Sequence, residues 1–173
     1  MTGEAFSRDT LMGLLEAARW APSSFNSQPW RFVYAHRDTP AWQPLFDTLN
    51  EINRSWAHRA SALVLVVSKT RWVAPGQAEE SALGSASLDA GAAWFSIAMQ
   101  AHLAGLCAHA IGGFDRDLAR RTLGIPEDCK VEVMVALGKQ GPKEQLSDAL
   151  QARESPNARK PLAELAFEGR YAG

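Results

Sequence analysis

Nine consecutive residues, Pro22-Ser23-Ser24-Phe25-Asn26-Ser27-Gln28-Pro29-Trp30, concentrate hydroxyls, carboxamides and prolines between two apolar-patterned segments. Proline fixes φ and small polar side chains bond to nearby backbone, so this stretch predicts a rigid loop. Its hydroxyl and amide groups need partners outside regular secondary structure. A flat heteroaromatic ring edged with carbonyls and ring nitrogens is one such partner. The loop itself is the other, through Asx and ST turns. Further along, Gly112-Gly113 predicts a tight turn after a short apolar run, a place where a side chain would hold the backbone away from its neighbour.

Other chemistry is absent by spacing. His36, His58, His102 and His109 lack the spacing of a metal site, and Cys107 and Cys129 stand alone without a CxxC pair, so both read as core or half-buried thiols. No GxGxxG follows a strand, and no GxSxG supplies a nucleophile elbow.

The elements that must position the loop follow from periodicity. Leu11, Leu14, Leu15 and Ala18 predict a helix over Asp9–Trp20, capped by Ser7 or Asp9 and stopped by Pro22. Alternation of Trp30, Phe32 and Tyr34 predicts a strand. Helical spacing returns over Trp42–Trp56, and the continuous run Ala62–Val67 reads as a buried central strand. Residues 69–85, with Pro75 and Gly76, read as a mobile, lid-like excursion and the place for substrate specificity. Leu88, Ala92, Phe95, Met99 and Leu103 make a helical stripe on an Ala-rich segment expected to be central. A strand over Cys107–Ile111, a helix from Asp115 to Leu123, a strand over Val131–Leu137 and a short helix over Pro161–Phe167 complete the pattern. The connections are too short and irregular for regular crossovers throughout, so the expected class is α+β, a central mixed β-sheet flanked by helices.

The totals limit the remaining functions. At 173 residues, one domain spanning 1–173 is expected. With 18 Lys and Arg against 19 Asp and Glu, no broad field exists to hold nucleic acid. The longest apolar run is far shorter than the roughly 20 residues that cross a bilayer, and no basic-then-apolar start appears, so a soluble cytoplasmic protein is expected.

The segment AARWAPSSFNSQPWRFVYA resembles the flavin loop of the FMN-dependent nitroreductase family, where PSxxNxQPW contacts the isoalloxazine ring. The resemblance implies that Pro22, Ser23, Ser24, Asn26 and Gln28 line a flavin shared with a second subunit. Asn53 stands where relatives often hold an Asn near the pyrimidine edge, although a helix-end Asn exposed to solvent reads equally well. LDAGAAWFSIAMQAHLAGL followed by HAIGGFD resembles the central dimer-forming helix and the turn behind it. In that match Gly112 and Gly113 direct backbone N–H groups toward the flavin N5 and O4 edge, where a donor stabilises charge arriving with hydride. ESPNARKPLAEL is similar to the returning carboxyl-terminal arm, here 158–173, which implies that Arg159, with Lys160 as helper, grips the FMN phosphate. Phe25 and Trp72 are candidates for a substrate pocket, whereas Trp94 reads as core.

What the resemblance implies in sum is an FMN-dependent homodimeric enzyme. NADH or NADPH would reduce it, and nitroaromatics, quinones or similar electron-poor acceptors would reoxidise it by ping-pong hydride transfer through one open pocket. A flavin dehydrogenase or oxidase of one specific metabolite, and a non-catalytic flavin or small-ligand binder, are the alternatives. Family members normally begin with an Arg-x-Ser motif that touches phosphate and ribityl, while this chain starts at Met1-Thr2-Gly3-Glu4, past that point. Weak flavin retention is expected from that difference.

Overall fold

A computed structural model describes residues 1–171 and 173; one position of the 158–173 arm, Ala172, lies outside the described residues. The chain divides into two compact units, residues 1–142 and 143–173.

The first unit is built on a four-stranded sheet in the order β1-β2-β6-β5. Its strands are β1 (Trp30–His36), β2 (Ala62–Lys69), β5 (Cys107–Ile111) and β6 (Cys129–Gly138). Every ladder in it is antiparallel, so the α+β class holds while the mixed pairing expected from the connections does not. The reason is placement. β2 and β5 run the same way, but β6 is inserted between them and pairs antiparallel with both.

Strand alternation sends side chains to two faces, and each face is covered. On one, Trp30, Val64, Val66, Val135 and Leu137 bury against α1 (Arg8–Arg19) and α4 (Ala86–Leu103). On the other, Ala35, Leu63, Leu65, Met134 and Ala136 pack with α2 (Trp42–Phe46), α3 (Glu51–Ala57) and α5 (Arg116–Leu123). Both faces being buried explains why β2 is apolar at every position from Ala62 to Val67. Cys129 is buried in the second layer, and burial with the neighbouring Asp128 pushes its thiol up, away from thiolate chemistry. Cys107 is half-buried, and neither cysteine is in a disulfide.

Local sequence sets the helix ends. Ser7 caps α1 by accepting from the Thr10 N–H, and Asp115 caps α5 through Leu118. The apolar periodicity over residues 42–56 is divided between α2 and α3. Between them the chain leaves the helix to form a bridge from Leu49 to Phe114, and Asn50 then caps a new helix at the Asn53 N–H. Residues 69–85 are a small hairpin, β3 (Arg71–Val73) with β4 (Glu80–Ala82), tied back by the Leu83 N–H on the Thr70 carbonyl.

α4 meets the rest of the unit through its small residues rather than through its stripe of large ones. Ala86, Ala90, Ala93, Ile97 and Ala101 face the sheet, while Leu88, Phe95, Met99 and Leu103 are exposed. Alanines let the helix lie close on an already thick Val and Leu face, which leaves the large apolar side chains outside. One acid, Asp89, is buried with them.

A polar tie fixes the start of α4. The ladder between β2 and β6 carries a bulge at Val66 and Val67, beside Glu132. Glu132 accepts from the fully buried Ser68 hydroxyl at 2.6 Å and from Ser87 of α4 at 2.7 Å, and Lys130 Nζ lies 3.2 Å from its other oxygen. Burial alone would push this carboxyl up, but hydrogen bonds from Ser68, Ser87 and Lys130 outweigh it and hold the group below its ordinary value.

The second unit holds α6 (Asp148–Gln151), a single 3-10 turn at Leu162–Glu164 where the longer helix was expected, and an edge-on pair of Phe167 and Tyr171 rings.

Candidate functional site

The loop between α1 and β1 is held by its own polar groups and by one buried carboxylate. Ser23 Oγ accepts from the Gln28 N–H at 3.0 Å, the Asn26 N–H reaches the Ser23 carbonyl, and Gln28 Nε2 donates to the Asn26 carbonyl. Asp89 accepts from the Ser24 N–H at 3.3 Å and from the Ser85 hydroxyl at 2.9 Å. These bonds hold a backbone that L-residues rarely adopt: Phe25, Asn26 and Gln28 have φ of 49°, 55° and 46°. Such conformations cost roughly 1 kcal/mol each and persist where the surroundings over-determine them, most often at binding sites. Of the side-chain turns expected from composition, the loop shows only the longer reach of Ser23 Oγ to the Gln28 N–H. The side chains of Ser24 and Asn26 make no hydrogen bond among the described residues, and the buried Ser27 hydroxyl has no partner.

Asn53 and Gly113 are brought together, 60 residues apart in sequence. Asn53 Nδ2 donates to the Gly113 carbonyl at 3.0 Å, and its Oδ1 accepts from the Trp56 indole at 3.2 Å. The Asn50 N–H takes the same carbonyl. Gly113 is required by space: a Cβ there would stand 2.5 Å from Asn50 Nδ2 and 2.7 Å from Asn53 Nδ2. At Gly112 a Cβ would meet nothing within 4 Å, so that side of the turn faces open space. The Gly113 N–H makes no hydrogen bond among the described residues. Asn53 is thus neither a free helix-end residue nor spent on capping; it orients the glycine corner, which its spacing in the sequence could not reveal.

Phe25 and Trp72 are also brought together, their ring centroids 6.0 Å apart at 37°. With Asn26, Ser27, Pro29, Arg31, Lys69, Arg71 and the hairpin they line a cleft of about 390 Å³. The three basic residues at this cleft were not singled out by sequence; only the fold gathers Arg31 of β1 beside Lys69 and Arg71. Trp94 packs against the α1–α4 layer, in keeping with a core role.

The loop and the glycine corner both lie toward the end of the sheet where β2 finishes and β6 begins, but on opposite edges. Three strand spacings, about 14 Å, separate β1 from β5 within one chain. Arg159 and Lys160 belong to the second unit, both exposed. Arg159 donates to the Asn157 and Ala158 carbonyls, and Lys160 lies 3.9 Å from Glu164. Among the described residues no cluster of His, Cys, Asp and Glu could hold a metal ion, and no helix is long and apolar enough to cross a membrane.

Comparison with known proteins gives this geometry a setting. The family model described as Nitroreductase family matches residues 2–139. A crystal structure of an oxidoreductase containing FMN is 46% identical and superimposes with a TM-score of 0.95 over 99% of this chain and 86% of its own. An uncharacterised protein of Mycolicibacterium smegmatis is 36% identical over 68% of this chain and 76% of its own length. A nitroreductase of Desulfovibrio desulfuricans solved in complex with FMN is 25% identical, with a TM-score of 0.73 over 98% of this chain and 88% of its own.

Proposed function

Because the chain belongs to the nitroreductase family, we propose that it is an FMN-dependent oxidoreductase that takes electrons from NADH or NADPH and passes them to nitroaromatic, quinone or similarly electron-poor acceptors in ping-pong order. The observation that carries this reading is the Asn53–Gly113 corner, where a backbone N–H without an acceptor stands beside a glycine whose neighbour faces open space.

The residues present fit the cofactor. FMN, when bound, supplies two-electron hydride chemistry between nicotinamide and acceptor. Gly112 and Gly113 offer backbone close enough for a flat ring edge, and the Gly113 N–H is a fixed donor for charge developing there. Asn53 holds Gly113 in place through the carbonyl of the following peptide. Pro22, Ser23, Ser24, Asn26 and Gln28 present an ordered polar rim, with the Ser24 and Asn26 side chains available to a ligand. Arg159 and Lys160 would take the phosphate by charge-assisted hydrogen bonds. Phe25 and Trp72 wall the pocket over which donor and acceptor alternate.

The site uses two copies of the chain. Loop and glycine corner stand on opposite sheet edges, so a ring held by both takes one from each protomer, and the exposed apolar face of α4 supplies a surface for the pairing. Two cysteines outside any disulfide suit the reducing cytoplasm as the setting.

The test is anaerobic mixing of the FMN-loaded protein with NADH and with NADPH. Bleaching of the visible flavin absorbance by at least one of them, and its return on adding a nitroaromatic or quinone, is expected. Absorbance that survives both donors overturns the reading.

A further inference from the structure

The cleft beside the flavin-loop candidate carries an imbalance of charge that the proposed hydride chemistry does not use. Arg31, Lys69 and Arg71 all line it. Lys69 lies between Glu80 at 3.8 Å and Asp128 at 3.6 Å, and Arg71 Nε stands 3.7 Å from Glu80 while its Nη2 donates to the Glu80 carbonyl. Two carboxylates therefore serve two cations. Arg31 has none among the described residues. Its Nη1 donates to the Gln28 carbonyl at 3.0 Å and the Trp30 carbonyl at 2.7 Å, and among the described residues no hydrogen bond engages its Nε or Nη2. A guanidinium anchored at one nitrogen by two backbone carbonyls is already oriented, so less freedom is lost when its open side meets an oxyanion. The Phe25 and Trp72 rings line the same cleft.

We propose that this cleft binds a planar aromatic molecule bearing an anionic group, its ring against Phe25 and Trp72 and its carboxylate or phosphate on Arg31. Two sources could supply that chemistry: an aromatic carboxylate acceptor, or the adenosine 2′-phosphate end of NADPH. As a statement about substrate choice this rests on the function proposed above. The binding itself does not require flavin.

Calorimetric titration of the full chain, FMN-loaded and flavin-free, with two matched pairs tests it: benzoate against benzamide, and adenosine 2′-monophosphate against adenosine. In at least one pair the anion should bind about tenfold more tightly, the usual worth of a charged hydrogen-bonded contact. Arg31→Gln should erase that preference while leaving the neutral member of the pair unchanged, an effect that a merely structural role for Arg31 would not produce. Trp72→Ala should weaken both members alike. Preference within the benzoate pair identifies the acceptor as the source; preference within the adenosine pair identifies the donor. Equal affinities in both pairs for the unaltered protein, or a preference that survives Arg31→Gln, overturns the proposal. If FMN fails to load or nicotinamide fails to react while the anion preference persists, the flavin reading falls and the anion site stands.

Discussion

Gly113 is the residue at which the steric and chemical demands coincide. Gly113→Ala places a methyl group 2.5 Å from the Asn50 amide and 2.7 Å from that of Asn53, so both must move. A loss of about 1–3 kcal/mol in stability is expected, the usual cost of overpacking, together with at least a tenfold loss of FMN affinity. Gly112→Ala, with nothing within 4 Å, should leave the melting temperature nearly unchanged and weaken only FMN. Thermal melts and flavin titration of the two variants check the contrast; equal destabilisation of both would contradict it. Much of this site could be read in the sequence. The Pro and Ser content of residues 22–30 announced a rigid polar loop, and Gly-Gly announced a tight turn. The left-handed backbone at Phe25, Asn26 and Gln28 could not be read, since none is glycine and the bonds that hold the loop include one to Asp89 of a distant helix. Arg31 was equally hidden, because what distinguishes it is the lack of a carboxylate among neighbours that the fold brings together.

Among the elements, α4 depends on polar ties at its start. Glu132 joins the β2–β6 bulge to Ser87, and with its side chain only 15% exposed the network is largely shielded from water. Because the folded carboxyl titrates below its ordinary value of 4.5, its contribution is fully present above that pH and is lost as the pH falls through the lower folded value. Glu132→Gln should therefore cost about 1–2 kcal/mol near neutrality, and the difference from the unaltered chain should shrink as the pH falls through that lower value. Urea denaturation at a series of pH values measures this; a difference independent of pH would refute it. Periodicity showed the stripe of large residues on α4 but not which of its faces meets the sheet. The alanines carry the contact, and the larger stripe points outward. Sheet pairing was misread because alternating helices and strands suggest some parallel neighbours, whereas which strand is inserted between two others is settled by long-range packing.

At the scale of the whole molecule, the exposed Leu88, Phe95, Met99 and Leu103 form a surface that a lone soluble chain rarely presents. The proposed two-chain site gives that surface a partner. Phe95→Asp should weaken self-association at least tenfold, and FMN retention should fall with it, since half of the proposed site would leave with the second chain. Light scattering across a dilution series, paired with flavin absorbance, tests both expectations. A Phe95→Asp protein that is monomeric yet fully flavinated would separate cofactor binding from pairing. The left-handed run in the loop has a consequence for how such a protein responds to selection. Glycine at position 25 would relieve the backbone there and raise heat tolerance, yet it would delete the ring that faces Trp72. Breeding this chain for thermal endurance alone should thus drift toward a hardier protein with a blunted sense of its ligand.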